Sequence, residues 1–506
     1  MTLLPLVPAF VATSPSDDAL LAAVPPGAHL VVHCFDVGAL RDRAGRNDWV
    51  RLLGTEYGEP MLEGLVEELR DGTHTDPEGL LAIAEELEGE AVLFDAGDVA
   101  GLLATPPPDR GPFVEAVRAW LPPRRPVATT TVDLDGGSVQ LHFWPDEIDG
   151  WTGRAGHVAA FLDHPVFLAV LSGDGVEAVV GAVNACVSRH GTGSLAPVVA
   201  RYLEVRGGAP RGVEAFVDLT PHADAFERAL RASTEGVLPD PTGLLGLHEG
   251  AWVHASLDVQ PGARVDCRGT LHLPPDSLAA RLADTFEPLP HTLPADLPAG
   301  LWCLGALRWD VVEQLGGDFA LYLVDAGPPA VEGPSSEMEL ALSLGFLASL
   351  VEGDAFLSAF EQLVQVGPLG GALATVEIAG VDAYLLDGDD ETIDGGLAFL
   401  PRAFVVAPAR LVLERSIGAL LREEGASVPH GSRVQGVLDE STGASFVGVL
   451  ELGPVRRFAL PGVAAGPLLP ALDGDGERAG RDPFDAMLVA VVRRTPGAFT
   501  FRLGSR

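Results

Sequence analysis

Across 506 residues the chain carries 33 basic and 71 acidic side chains, a formal net charge of 33 − 71 = −38, and every basic residue is Arg. A surface this acidic repels phosphate backbones and anionic bilayers, which excludes nucleic acid and anionic membrane as expected partners. Hydrophobic residues make up 47%, too many for a disordered chain, and at about 100–200 residues per domain the length allows two to four domains.

Leu3 to Ala12 is a short apolar run followed by the polar stretch Thr13–Asp18. Residues 1–24 therefore read either as the h-region and exit of a secretory signal, lacking a basic n-region, or as an N-terminal tail. No other segment offers about 18 uninterrupted apolar residues, so no spanning helix is predicted. Cys34, Cys186, Cys267 and Cys303 are scattered singly without a C-x-x-C pair, so no zinc site is expected. Free thiols are the default, and the sequence leaves a disulfide open.

From residue 25 onward the chain reads as one pattern given twice. Pro26-Gly27-Ala28 leads into the apolar run Leu30–Phe35; Pro298-Ala299-Gly300 leads into Leu301–Leu307, 272 positions later. Phe113, Val117, Trp120 and Leu121 fall on one helical face, and Phe356, Phe360, Leu363 and Val364 repeat the spacing at an offset of 243. The jump from 272 to 243 places an insertion of about 30 residues in the first copy, within about 45–90, where the helix-like runs Met61–Leu69 and Leu80–Leu87 lie. A hairpin follows in each copy: Val132 and Leu134, the Asp135-Gly136-Gly137 turn, then Val139, Leu141 and Phe143. In the second copy Val376 and Ile378, Ala379-Gly380, then Val381, Ala383 and Leu385 match it.

Next comes a strand with two Phe, Ala160–Leu162 with Phe167 against Ala398–Leu400 with Phe404. A helix with Val176, Val180 and Val183 matches Leu413, Ile417 and Leu420 at offset 237. Phe216–Pro221 matches Val449–Pro454, and the hairpin Trp252–Cys267 with its Pro261-Gly262 turn matches Met487–Leu503 with Pro496-Gly497 at offset 235. The proline cluster Pro288, Pro290, Pro294 and Pro298 marks the boundary near 285–295, giving a first repeat over 25–290 and a second over 291–506. Adjacent hairpins imply antiparallel sheet covered by helices, so the fold class is α+β, two tandem repeats of one unit. The proline run 106–108 and the stretches Asp325–Glu337 and Asp473–Asp482 read as loops.

Chemistry-bearing motifs are few. Gly191–Ser194 is too short for a phosphate loop and reads as a turn. Asp387, Asp389 and Glu391 alternate, as do Asp473, Asp475 and Glu477. Thr392 and Arg478 stand where a calcium loop needs its Gly, so both read as solvated acidic turns. His29 and His33 share one face of a strand about 13 Å apart, too far for one metal. Asp163-His164 and His222 with Asp224 are candidate acid–base pairs without a sequence-local nucleophile. No catalytic, cofactor-binding or metal residue is nominated.

The opening Pro26–Leu40 (PGAHLVVHCFDVGAL), Phe216–Leu219 after the Ser194-Leu195 helix lead, and the Phe399–Val406 strand resemble a bacterial family, domain of unknown function 3352, over most of residues 25–460. The resemblance implies an exported or envelope-associated protein and no particular chemistry. The leading expectation is a non-catalytic envelope or periplasmic protein that binds or scaffolds. The alternatives are a carrier of an apolar ligand held between sheet and helices, a hydrolase whose Asp, His and Ser converge only in space, and a cytoplasmic location.

Overall fold

The computed structural model describes residues 19–53, 82–120, 128–134, 137–143, 157–164, 166–189, 194–206, 212–223, 250–290, 296–309, 315–325, 343–366, 373–386, 394–423, 425–429, 432–459, 486–495 and 498–505. The N-terminal apolar run, both acidic turns, Asp224 and most of the Gly191–Ser194 turn lie outside them. The chain forms two compact units. The first holds residues 1–42 and 60–218, and the second holds 43–59 and 219–506. Both are mixed α+β with antiparallel strands, as the hairpin pattern predicts.

The first unit contains β1 (Leu30–Cys34), β2 (Ala91–Asp95), β3 (Val99–Ala104), β4 (Ala128–Leu134), β5 (Gly137–Phe143), β6 (His157–Asp163), β7 (Leu168–Asp174) and β8 (Val213–Asp218). Their pairings run β8-β1-β2-β3-β7-β6-β5-β4, every pair antiparallel. The β4–β5 hairpin has the register its alternation predicts, Val132 opposite Val139. The helix Arg110–Trp120 starts where the Asp109 carboxylate accepts the Gly111 N–H at 3.0 Å. It buries Phe113 and Val117 in a core with Ile83, Leu87, Leu168 and Val170. The helix Val176–Arg189 lies against β3, β6 and β7, and Pro197–Val205 lies against β1 and β8.

The second unit contains β9 (Trp252–Gln260), β10 (Arg264–His272), β11 (Leu301–Arg308), β12 (Leu315–Val324), β13 (Leu344–Leu350), β14 (Leu373–Ile378), β15 (Val381–Leu386), β16 (Gly396–Leu400), β17 (Ala403–Ala407), β18 (Phe446–Glu451), β19 (Met487–Thr495) and β20 (Ala498–Ser505). The order is β9-β10-β20-β19-β18-β11-β12-β13-β17-β16-β15-β14, again antiparallel throughout. The helix Arg410–Leu420 lies against β13, β16 and β17. The helix Arg433–Glu440 is capped by Ser432, whose side chain accepts the Gln435 N–H at 3.1 Å, and it packs on β18. Leu304, Tyr322, Leu347, Val405, Leu413, Ile417, Val437 and Val449 are among the residues of its core.

Three details correct the sequence reading. Each strand with two Phe is a hairpin, β6–β7 and β16–β17. The hairpin β2–β3 and the β12–β13 pair are additions the sequence pattern does not announce. The helix Val176–Arg189 is buried through Val179, Ala182, Val183 and Cys186, a face led from Val179 where the sequence reading began it at Val176. The expected insertion falls in the β1–β2 connection. Its described parts include the helix Asp48–Leu53, which belongs to the second unit. There Leu52 packs with Leu452 and Ala486, and the buried Asn47 amide donates to the Gln260 and Arg264 carbonyls at 2.8 and 3.0 Å.

Candidate functional site

In the second unit β10, β20 and β19 lie side by side. Asp266, Gly504 and Val489 form one row, and Arg268, Arg502 and Val491 the next. Because side chains alternate along a strand, these residues share one face with Arg264 and Arg493. With Gln260 and with Glu440 and Ser441 at the end of the helix Arg433–Glu440, they line a groove of about 550 Å³. Gly504 keeps the floor low, since a Cβ there would come within 3.2 Å of the Val265 carbonyl. Ser505 ties the floor to β10 by accepting the Val265 N–H at 2.8 Å and donating to the Ala263 carbonyl.

The charges of the groove are fixed by geometry. Arg502 grips Asp266 with two donors, Nε at 3.0 Å and a terminal nitrogen at 3.4 Å, and Arg268 grips the same carboxylate with Nε at 2.9 Å and a terminal nitrogen. Burial pulls the Asp266 carboxyl upward, but the hydrogen bonds and charges of Arg268 and Arg502 outweigh it and hold it below the usual carboxylate range. A guanidinium has five N–H donors, so each of the two keeps donors free for something else. Arg493 donates to the Glu440 carbonyl at 3.3 Å. Arg264, exposed at the end of β10, has its backbone carbonyl held by Asn47.

The first unit holds a different polar assembly. His33 on β1 stands directly across from Glu214 on β8. Tyr202, from the helix Pro197–Val205, donates its phenol proton to Glu214 at 2.9 Å and lies 3.2 Å from His33 Nδ1. His33 Nε2 is 2.8 Å from Glu90. His33 and Tyr202 are fully buried and Glu214 is 3% exposed, so Glu90, with 19% of its side chain exposed, is the member that meets solvent. Burial first, and then the Glu214 carboxylate, push the Tyr202 phenol well above its ordinary range, so it stays protonated. Arg206 stacks over the rings of Phe35 and Tyr202 at 5.6 and 5.9 Å, and Phe35 lies against His33 with ring centroids 4.0 Å apart. With both rings fully buried, the centre of the assembly gives a substrate no surface to approach.

His29 lies on the same face as His33, with its ring nitrogen 4.0 Å from the Asp95 carboxylate, so the two histidines have separate partners. His164 packs on Phe167 at 4.6 Å, and His222 is exposed in a short 3₁₀ turn. All four cysteines are free thiols. Cys186 is fully buried, which pushes its thiol up to about 12. Local sequence reading found neither assembly, because the partners come from strands and helices far apart in the chain. Among the described residues no helix is long and apolar enough to cross a membrane. No family model, curated protein or solved structure matches this chain.

Proposed function

We propose that this chain is a binding protein without catalytic chemistry of its own, exported to the periplasm or cell envelope, and that the Arg-lined groove is where it binds. The observation that carries the reading is the groove itself. Four arginines, Arg264, Arg268, Arg493 and Arg502, line one groove of a chain whose net charge is −38, with Arg268 and Arg502 held by Asp266 and Arg493 by the Glu440 carbonyl. Fixed donors around an open concavity are what recognition of a small ligand needs. The apolar run at residues 3–12 and the resemblance to domain of unknown function 3352 support export.

The two-copy architecture is part of the same proposal. Strand order supports it: β4-β5-β6-β7-β3-β2-β1-β8 in the first unit runs parallel to β14-β15-β16-β17-β13-β12-β11-β18 in the second, with helices in the same connections. The register supports it further. If the closing pairs Leu134–Gly137 and Ile378–Val381 are matched, the pairings carried from strand to strand bring Gly101 onto Gly345 and Phe94 onto Tyr322. In both places the aromatic ring lies over the glycine across the strand, where a Cβ would come within 2.6 Å of Phe94 or 2.3 Å of Tyr322. The same carry sets Phe161 against Leu397 rather than Phe399, a two-residue slide that keeps the face.

The hydrolase alternative has one observation in its favour, the His33–Glu90 and His33–Tyr202 contacts. Full burial of both rings and a phenol held protonated favour binding over it. The full chain, assayed against chromogenic esters, amides, phosphoesters and glycosides, is expected to turn over none of them. Turnover that survives repurification and disappears in His33→Gln would overturn the non-catalytic reading. A reporter fused after residue 506 that stays in the cytoplasm of the native host would overturn the location.

A further inference from the structure

Resting on the binding reading of the groove, we infer that its ligand is a small oxyanion, a phosphate, sulfate or carboxylate group gripped by guanidinium forks. The lining carries Arg264, Arg268, Arg493 and Arg502 against Asp266 and Glu440, a local balance of 4 − 2 = +2. Against the acidic remainder of the chain this sign reversal is local, and screening over about 8 Å at physiological salt keeps distant carboxylates from cancelling it. Asp258, opposite Asp266 on β9 and held by the Gln260 amide at 2.8 Å, is the further acid that faces Arg268.

The geometry separates the four arginines into two roles. Arg268 and Arg502 share one carboxylate, so Asp266 acts as the positioning residue that holds two planar forks side by side with donors still unspent. Arg493 uses one terminal nitrogen on a neutral carbonyl and keeps its full charge. Arg264 makes no side-chain hydrogen bond or ion pair among the described residues, and its backbone carbonyl accepts from the Asn47 amide. Arg264 and Arg493 are therefore the two lining cations that Asp266 does not engage. An oxyanion that bridges them can take further donors from Arg268 and Arg502. Fixed, bidentate donors select a multi-oxygen anion over chloride, which offers a single point of charge.

The test is calorimetric titration of the full chain with inorganic phosphate, sulfate and succinate at low ionic strength, with sodium chloride at matched ionic strength as control. We expect saturable binding of at least one oxyanion, a loss of at least tenfold in affinity in Arg264→Gln/Arg493→Gln, and no change in Arg410→Gln, whose guanidinium pairs with Glu414 on a different element. Arg264→Lys/Arg493→Lys keeps the charge and loses the fork, and is expected to recover part of the affinity. Phosphate against succinate tells a tetrahedral ligand from a carboxylate. Circular dichroism identifies any variant that fails to fold, and Arg264→Gln alone, at an exposed position, then stands in for the pair. Equal heats in the wild type and the glutamine variants, or no saturation by any of the three anions, would overturn the inference. With no turnover seen in the substrate assays, that outcome would leave the non-catalytic reading standing.

Discussion

Removing one oxygen from Tyr202 tests whether the polar assembly in the first unit stabilises the fold. Tyr202→Phe keeps the fully buried ring and its packing, but takes the phenol proton from Glu214 and an oxygen from His33. A hydrogen bond to a charged group contributes about 1.5–3 kcal/mol, and a buried partner left short of a bond costs about 1–3 kcal/mol. The loss is therefore about 2–3 kcal/mol, a large fraction of a domain's usual margin of about 5–15 kcal/mol. Glu214→Gln leaves the shape almost unchanged and removes the acceptor's charge. It is expected to cost a similar amount, because its amide cannot accept as strongly. If the phenol and the carboxylate act on each other, the double variant costs less than the sum by about 1–2 kcal/mol. Urea unfolding of the full chain followed by far-ultraviolet circular dichroism measures all three. Single losses under about 0.5 kcal/mol, or strict additivity, would refute the reasoning that this network is held by mutual hydrogen bonding.

Gly101→Ala and Gly345→Ala are each expected to lose about 2–3 kcal/mol, the cost of forcing extra volume into a packed core, because Phe94 and Tyr322 lie within 2.6 and 2.3 Å of the new methyl group. Chemical denaturation reads the loss, and the second variant also strains the Tyr322–Ser416 hydrogen bond of 2.7 Å. At alkaline pH, burial holds the Tyr202 and Tyr322 phenols above their ordinary range, while in the unfolded chain they ionise near pH ~10. The native state then keeps protons the unfolded state has lost, so stability present below about pH 10 falls above it by about 1.4 kcal/mol per pH unit for each residue. Phenolate absorbance during an alkaline titration is expected to rise for these two tyrosines only as the chain unfolds, and Tyr322→Phe is expected to flatten the slope.

How much of this was legible in the sequence depended on whether the defining contacts were local. The hairpins β4–β5 and β14–β15 were readable because one polar face alternates with one apolar face, and in the second the Ala379-Gly380 turn, with both residues at positive φ, fixes the register. β7 is buried along nearly its whole length, so it has no alternation to reveal where β6 ends and β7 begins. β6 and β7 therefore read as one strand, whereas β16 and β17 both alternate and are separated only by the short Pro401-Arg402 turn. The helix after β7 begins at Val176 as the sequence predicts, but its buried face is Val179, Ala182, Val183 and Cys186 instead of the set Val176, Val180 and Val183. A slip of three turns a helix by only about 60° from its repeat and leaves an apolar stripe looking intact. The two assemblies were invisible for a different reason. His33 meets Glu90 and Tyr202 across 57 and 169 positions, and Arg502 meets Asp266 across 236. The pairing of β1 with β8 sets His33 against Glu214, where β11 and β18 set Ala306 against Val447. One antiparallel strand pair thus holds a buried charge and another an apolar contact. Nothing in a strand's own periodicity distinguishes them, because burial fixes which face points inward and leaves the chemistry to the partner strand.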